Sequence, residues 1–479
     1  MKRKFDLAGL ALVLLLLVGT PTAESQGSAT LAIVGGSLID GYGGEPLRNA
    51  VVLVQGDRIV AVGRVGALEV PNGAQVVDAN GMTVMPGLWE SHGHLFHVGE
   101  GDPALLPRDF SGREVEIMTS TAKTNLLAGI TSFRDTGGPL KEQQMLRAQI
   151  EAGEKVGPRM YFAGPIMNQT TRSVGRTPGE YSVSNPEEAR ATAERIIAMG
   201  ADQIKVYGFW DRPVLEAVTA AAHRAGIGVD ADVRHIEAYR TAVYAGVDRM
   251  HHVFTADALS DYSDEDLRLL VRGAKPVALG PSANILRGPY IVPTIEMRNA
   301  YARAISFPEV VEQPRLKTQF APDIYAALVE TWRTPSAIPW GIGAPERIKV
   351  AKRKLKRYIE AGGREQVVAG CDTGAPLNFH SPLAREIENL ADAGLTNMEA
   401  IQAATFRPAQ MQGVDDELGT ISVGKLADVI VVDGDPLFDV AILQHRVSHV
   451  IKGGVVFVID GELVDPGSSG QTTSARATN

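Results

Sequence analysis

The chain has 479 residues, 44% of them hydrophobic and 22% charged, with a net charge of −9 and one cysteine, Cys371. That length suits a large enzyme domain with an accessory domain, in the composition range of soluble globular proteins. No basic block is present, which excludes a nucleic-acid track, and a lone cysteine excludes a disulfide framework.

Residues 1–25 read as a secretory signal peptide. "MKRKFDLAGLALVLLLLVGTPTAESQG" has a basic start, an apolar stretch from Leu7 to Gly19, and small residues around a cleavage site between Ala23 and Ser25. A signal anchor is the competing reading, although the stretch is short of the roughly 20 residues a membrane span needs. No lipid-attachment cysteine follows. The mature chain is expected to be secreted, or periplasmic in a Gram-negative source, with no stable membrane association.

From residue 28 to 86 short apolar runs ("LAIVGGSLID", "AVVLVQGDRIVAVG", "AQVVDANGMTVMPG") alternate with Gly-Asp, Asn-Gly and Gly-Gly steps, as in antiparallel hairpins. The same texture returns over 417–465. These flanks are expected to form one small β-sandwich from both chain ends. Between them, residues 87–416 alternate apolar strands with helical segments in about eight units, which predicts an α/β chain folded as a (β/α)8 TIM barrel. The segment from Arg298 to Arg364 is long for one loop and reads as a helical cover, with Trp332 and Trp340 as either pocket surface or packing residues. Residues 466–479 read as a disordered tail.

Side chains two apart on a strand share a face, so "PGLWESHGHLFH" can aim His92 and His94 at one ion. Catalytic groups of such a barrel stand at the C-terminal strand ends, where this chain has His92 and His94, then Lys205, His252 and Asp372. Lys205 in "QIKVYG" faces away from Ile204 and Val206. Both faces of a parallel sheet are buried, so this lysine must be paired, neutralised or modified.

These motifs resemble the metal-dependent amidohydrolase superfamily, in its imidazolonepropionase-like and prolidase-like branch. The likeness runs through "VMPGLWESHGH", "GITSFRDTGG", "GADQIKVYG", "AGVDRMHH", "GCDTG" and "LGTISVGKLADVIVVDGDPLFD". It implies that His92, His94 and Asp372 bind one metal, and that a carboxylated Lys205 bridges to a second, which His252 also binds. The implied cofactor is Zn2+, one or two ions, with other divalent metals left open.

One position departs from that pattern. Where the fifth strand should end in a histidine, "GIGVDADVRH" places Asp232, followed by Arg234 and His235. Three readings stand: Asp232 is a substitute ligand, it is a hydrogen-bond partner in a one-metal site, or His235 reaches back to the metal. Glu90 also stands where aspartate is usual before the histidine motif.

The implied activity is hydrolysis of an amide bond in a small molecule such as a dipeptide, an N-acyl amino acid or a cyclic amide, with Asp372 as general acid and base. Tyr207, Arg234, His235 and His380 are the candidates for substrate contact, Tyr207 alternatively being a packing residue. The alternative function is a binding protein that kept the barrel and lost catalysis at Asp232. No nucleic-acid partner is expected, and a homo-oligomer is left open.

Overall fold

The structure, a computed structural model, describes residues 30–169, 180–208, 210–233, 236–255, 261–274, 287–307, 309, 312, 314–332 and 343–465. The leader, the tail, Arg234, His235 and Trp340 lie outside the described residues.

Apolar runs with both faces buried become the parallel strands of the central barrel. The first strand, Leu88–Gly93, pairs with the second, Ile130–Asp135, and that with the third, Arg159–Phe162. Gly164 (φ +66°) and Pro165 interrupt the third strand, which resumes as Met167–Gln169 beside the fourth, Gln203–Tyr207. The fifth (Gly228–Asp232), sixth (Arg249–His251) and seventh (Tyr290–Val292) follow in order.

The eighth position departs from a regular strand. Residues 367–373 close the ring through two parallel bridges, Ile291 to Val367 and Gly93 to Thr373. Glu90 explains part of the irregularity. Its buried Oε1 accepts hydrogen bonds from the backbone N–H of both His92 and Cys371 at 2.9 Å, joining the first and eighth positions through a side chain. Gly370 permits the approach, since a Cβ there would meet His92 N at 2.9 Å.

Both chain ends contribute to one further sheet. Val429–Val432 pairs antiparallel with Thr83–Pro86 at the middle of a six-stranded sheet. A four-stranded sheet from residues 31–78 shares a hydrophobic core with it, including Ile33, Val52, Val84, Val429 and Val431. No helix among the described residues is long and apolar enough to cross a membrane.

The segment after the seventh strand is helical where it is described: Ile295–Ser306, Pro314–Gln319, Pro322–Trp332 and Ala344–Tyr358. Trp332, one of the tryptophans expected at the pocket or in packing, packs. Its Nε1 donates to Gly99 O at 2.7 Å and its ring meets Phe379 edge-on. The helix Ile295–Ser306 lacks a side-chain cap from its own Thr294. Glu386 supplies one from another helix, accepting from Ile295 N and Glu296 N at 3.1 and 2.7 Å.

Burial raises the Glu386 carboxyl from 4.5 to about 8. The folded state therefore holds a proton that the unfolded chain releases at lower pH, and this group's contribution to stability declines as pH rises from about 4.5 to about 8. Glu386→Gln is expected to flatten that decline. Urea unfolding of both proteins across this range checks it, and parallel pH profiles would remove Glu386 as the cause.

Candidate active site

Barrel closure brings five strand ends to one space. His92 Nε2 and His94 Nε2 lie 3.5 and 3.3 Å from Asp372 Oδ1. His252 Nε2 lies 3.5 Å from Asp232 Oδ1 and 3.7 Å from Asp372 Oδ2. Two donor groups result, His92–His94–Asp372 and His92–Asp232–His252, with all ligand atoms in each within 4.8 Å of one another. Ligands on a tetrahedral ion with bonds of about 2.0–2.2 Å stand roughly 3.3–3.6 Å apart. The first group matches that spacing closely, and the nitrogen and oxygen donors suit a divalent transition metal.

The tautomers agree with this use. His94 Nδ1 donates to Gly137 O at 3.0 Å, an atom that can only accept. His252 Nδ1 stands 2.6 Å from Thr294 Oγ1, whose own proton goes to Pro293 O at 2.7 Å. In both rings Nε2 is left facing the site, the arrangement in which a metal-binding imidazole is oriented through its other nitrogen. His251, the other member of the His-His pair, turns away and places Nε2 2.7 Å from Asp230 Oδ1.

Backbone strain accompanies this placement. His252, Thr294 and Asp372 have φ of +63°, +55° and +57°, a left-handed conformation uncommon outside glycine and an outlier for the β-branched Thr294. These residues end or follow the sixth, seventh and eighth barrel positions. Strain of this sort persists where surrounding structure holds it, and it clusters at functional sites.

Lys205 is buried and has a counter-ion. Its Nζ lies 2.6 Å from Asp232 Oδ1 and 3.4 Å from His92 Nε2. Burial would raise the Asp232 carboxyl, but Lys205 and then His252 hold it well below the usual carboxylate range. Burial would likewise raise Asp372, but the His94 hydrogen bond and the His252 and His94 charges together hold it below its ordinary value. Burial would lower His94, yet Asp372 and Asp135 raise it to about 8. His92 is pushed far down by burial and by the Lys205 charge, so it stays neutral.

A buried ionic layer underlies these donors. Arg134 Nη2 contacts both oxygens of Asp230 at 2.9–3.0 Å, and Arg249 Nη1 lies 3.4 Å from Asp230 Oδ2. Despite burial, the two guanidiniums hold the Asp230 carboxyl far below its ordinary value.

Above the donors opens a cavity of about 720 Å³, lined by His94, Lys205, Tyr207, Asp232 and Asp372 at its base. Phe96, Ile166, Met297 and Tyr301 give it apolar walls, and Arg298 and Arg347 bring two cations. His380 corrects the expectation of substrate contact. Its ring nitrogens bond Asn125 Nδ2 and His97 O at 2.9 and 2.8 Å, it is buried, and it is not among the cavity's lining residues.

Several residues at the site went unread in the sequence. Asp135 accepts from Leu95 N and Gly137 N at 2.9 and 3.1 Å, fixing the turn that carries His94; its signal was an aspartate closing the strand of "GITSFRDTGG". Arg298 and Tyr301 belong to the cover, and no local pattern marks them as pocket residues.

Residues 83–457 match the amidohydrolase family. An ochratoxinase of Aspergillus niger is 26% identical over 483 aligned positions, spanning 91% of this chain and 88% of that protein. An imidazolonepropionase of Streptomyces coelicolor is 24% identical over 396 positions, 81% of this chain and 86% of that one. Among solved structures, a Xaa-Pro dipeptidase with methionine bound in its active site superposes with a TM-score of 0.70 at 24% identity, over 89% of this chain and 99% of the other. These likenesses agree with a (β/α)8 barrel.

The ionic layer makes a separate prediction. Asp230→Ala leaves two buried guanidiniums without their shared carboxylate and is expected to destabilise the fold by about 3–5 kcal/mol. Denaturant unfolding reads this directly, and a loss under about 1 kcal/mol would mean that water or another group compensates the two arginines.

Proposed function

Since this chain belongs to the amidohydrolase family and is a hydrolase acting on carbon–nitrogen bonds, we propose that it is an exported, metal-dependent enzyme cleaving the amide bond of a small substrate. The observation that carries this reading is the convergence of His92, His94, Asp232, His252 and Asp372 at ligand spacing beneath a large cavity. That convergence favours catalysis over a barrel that only binds. The same geometry supports zinc as the ion. Export rests on the leader at residues 1–25, and the shared core of the two terminal sheets supports their reading as one sandwich.

A dipeptide, an N-acyl amino acid or a cyclic amide is the substrate class, taken by a cavity whose apolar wall stands beside Arg347 and the carboxylates of Glu100, Glu114 and Glu180. When bound, the metal supplies a polarised carbonyl and hydroxide at neutral pH. Asp372, kept ionised by His94, is placed to receive the proton and return it to the leaving nitrogen. Tyr207 orients the substrate carbonyl or carboxylate from the cavity wall.

Lys205 and Asp232 pose one linked question. As an ammonium, Lys205 is satisfied by Asp232 and needs no modification. As a carbamate it would set a second anion against Asp232, which is unfavourable unless a cation stands between them. Carboxylation and a second metal therefore stand or fall together. In protein prepared with 13C-bicarbonate and excess zinc, a carbamate carbon signal should appear together with a second equivalent of metal. Its absence from a one-metal, fully active enzyme would leave Lys205 as the counter-ion of Asp232.

Chelation is expected to abolish amide hydrolysis, and zinc to restore it. The His92→Ala/His94→Ala double variant should lose bound metal by elemental analysis, and Asp372→Asn should lower kcat by about 10²–10⁴-fold. Full metal content in the double variant, or full turnover in Asp372→Asn, would overturn the assignment.

A further inference from the structure

His97 closes the motif that carries two of the metal donors. It lines the catalytic cavity but belongs to neither donor group. Its ring stands edge-on to that of His94, with centroids 6.0 Å apart. Its Nδ1 lies 2.5 Å from Oε1 of Glu100, whose Oε2 accepts from Val98 N at 2.8 Å. Glu100 thus accepts at both oxygens, and the proton it shares with the ring belongs on Nδ1. In that tautomer Nε2 carries the lone pair. Among the described residues none bonds Nε2, although the ring borders the cavity.

The segment that holds this pair is anchored from several sides. His380, buried away from the cavity, donates from Nε2 to His97 O at 2.8 Å, while its Nδ1 accepts from Asn125. Gly99 O accepts from Leu377 N at 2.8 Å and from Trp332 Nε1 at 2.7 Å. A ring placed this firmly has little freedom left to lose when it binds a ligand.

The charge at this end of the cavity has one sign. Glu100 is buried, and its only ionic partner among the described residues is His97. Glu114 lines the same side, and the lining drawn from residues 94–114 includes no lysine or arginine. A cation on the far nitrogen of the ring would therefore meet a lone pair backed by a buried carboxylate.

We propose that His97 is a substrate-binding residue whose Nε2 accepts a hydrogen bond from a protonated amino group of the substrate. Glu100 is its positioning residue and supplies the counter-charge. The inference rests on the amide-hydrolase reading and deepens it, selecting dipeptides with a free amino terminus over N-acyl amino acids and cyclic amides. In a dipeptide the amino nitrogen stands two bonds from the scissile carbonyl carbon. Its binding group must then lie close to the metal donors, as the His97 ring does to that of His94.

The test uses metal-replete, full-length protein with L-leucyl-L-leucine and L-leucyl-L-phenylalanine, each beside its N-acetyl counterpart, and dihydrouracil as a cyclic amide. KM is expected to be at least about tenfold lower for the free dipeptides, the worth of one charge-assisted hydrogen bond. His97→Ala should erase that preference by raising KM for the free dipeptides alone, with bound metal unchanged by elemental analysis. His97→Gln, which keeps an acceptor, should restore part of it. Glu100→Gln should raise the same KM and add nothing in the His97→Ala background, as expected of a residue acting through the ring. Unfolding midpoints establish that the variants are folded, and the comparison of free with acetylated substrates needs no variant.

Equal KM for the two series, or a preference for the acetylated one, would overturn the amino-group assignment and leave amide hydrolysis standing. So would a preference that persists in His97→Ala, loss of metal from that variant, or turnover of dihydrouracil alone. Turnover of none of these substrates would overturn the amide-hydrolase reading together with the assignment.

Discussion

A closed parallel barrel gives a buried charge no route to water, so every ionic side chain in its interior must be answered by another. That constraint organises the whole centre of this molecule. In the lower layer Asp230 answers Arg134 and Arg249, and His251 is driven down to about 3, chiefly by burial and by Lys205, so it adds no charge. In the upper layer Lys205 meets Asp232, and Asp372 meets His94. Asp372 and Asp135 raise His94 to about 8, which favours the protonated ring when no metal is bound. Metal and proton compete for the same donor atoms, so metal uptake in this site is coupled to proton release.

The fifth-strand aspartate takes its meaning from the same constraint. A neutral histidine at position 232 would leave Lys205 as an unanswered buried cation unless the lysine became an anion by modification. Asp232 removes that pressure, since it neutralises the ammonium directly. It also makes the second donor group more negative, which favours holding a cation but weakens the Lewis acidity of any cation held there. The aspartate thus ties the charge of Lys205 to the charge of the second donor group.

Much of this centre was legible in the sequence because buried parallel strands tolerate few polar residues, so each one stands out. His92, His94, Lys205, His252 and Asp372 interrupt apolar runs at corresponding strand ends, and all five lie around one space. What was illegible depends on backbone conformation or distant partners. The left-handed φ at His252 was not readable in advance, although His252 itself was. His380 looked free for substrate and is instead taken by Asn125, 255 residues away in sequence. Glu90 read as a conservative departure, yet it is the clasp that substitutes for ladder bonds where the eighth strand fails to form.

The division between what was and was not legible follows the division between chemistry and specificity. Donor atoms sit on strand ends, where register and burial leave a local signature in the sequence. The cavity walls come from elsewhere: Phe96 and Ile166 from loops beyond the strands, Met297, Arg298, Tyr301 and Arg347 from helices of the cover. Those segments stand outside the ionic layers of the barrel interior. A single arrangement of histidines and aspartates can therefore serve relatives with different substrates. In this chain the cover helices bring Met297, Arg298, Tyr301 and Arg347 to the cavity wall.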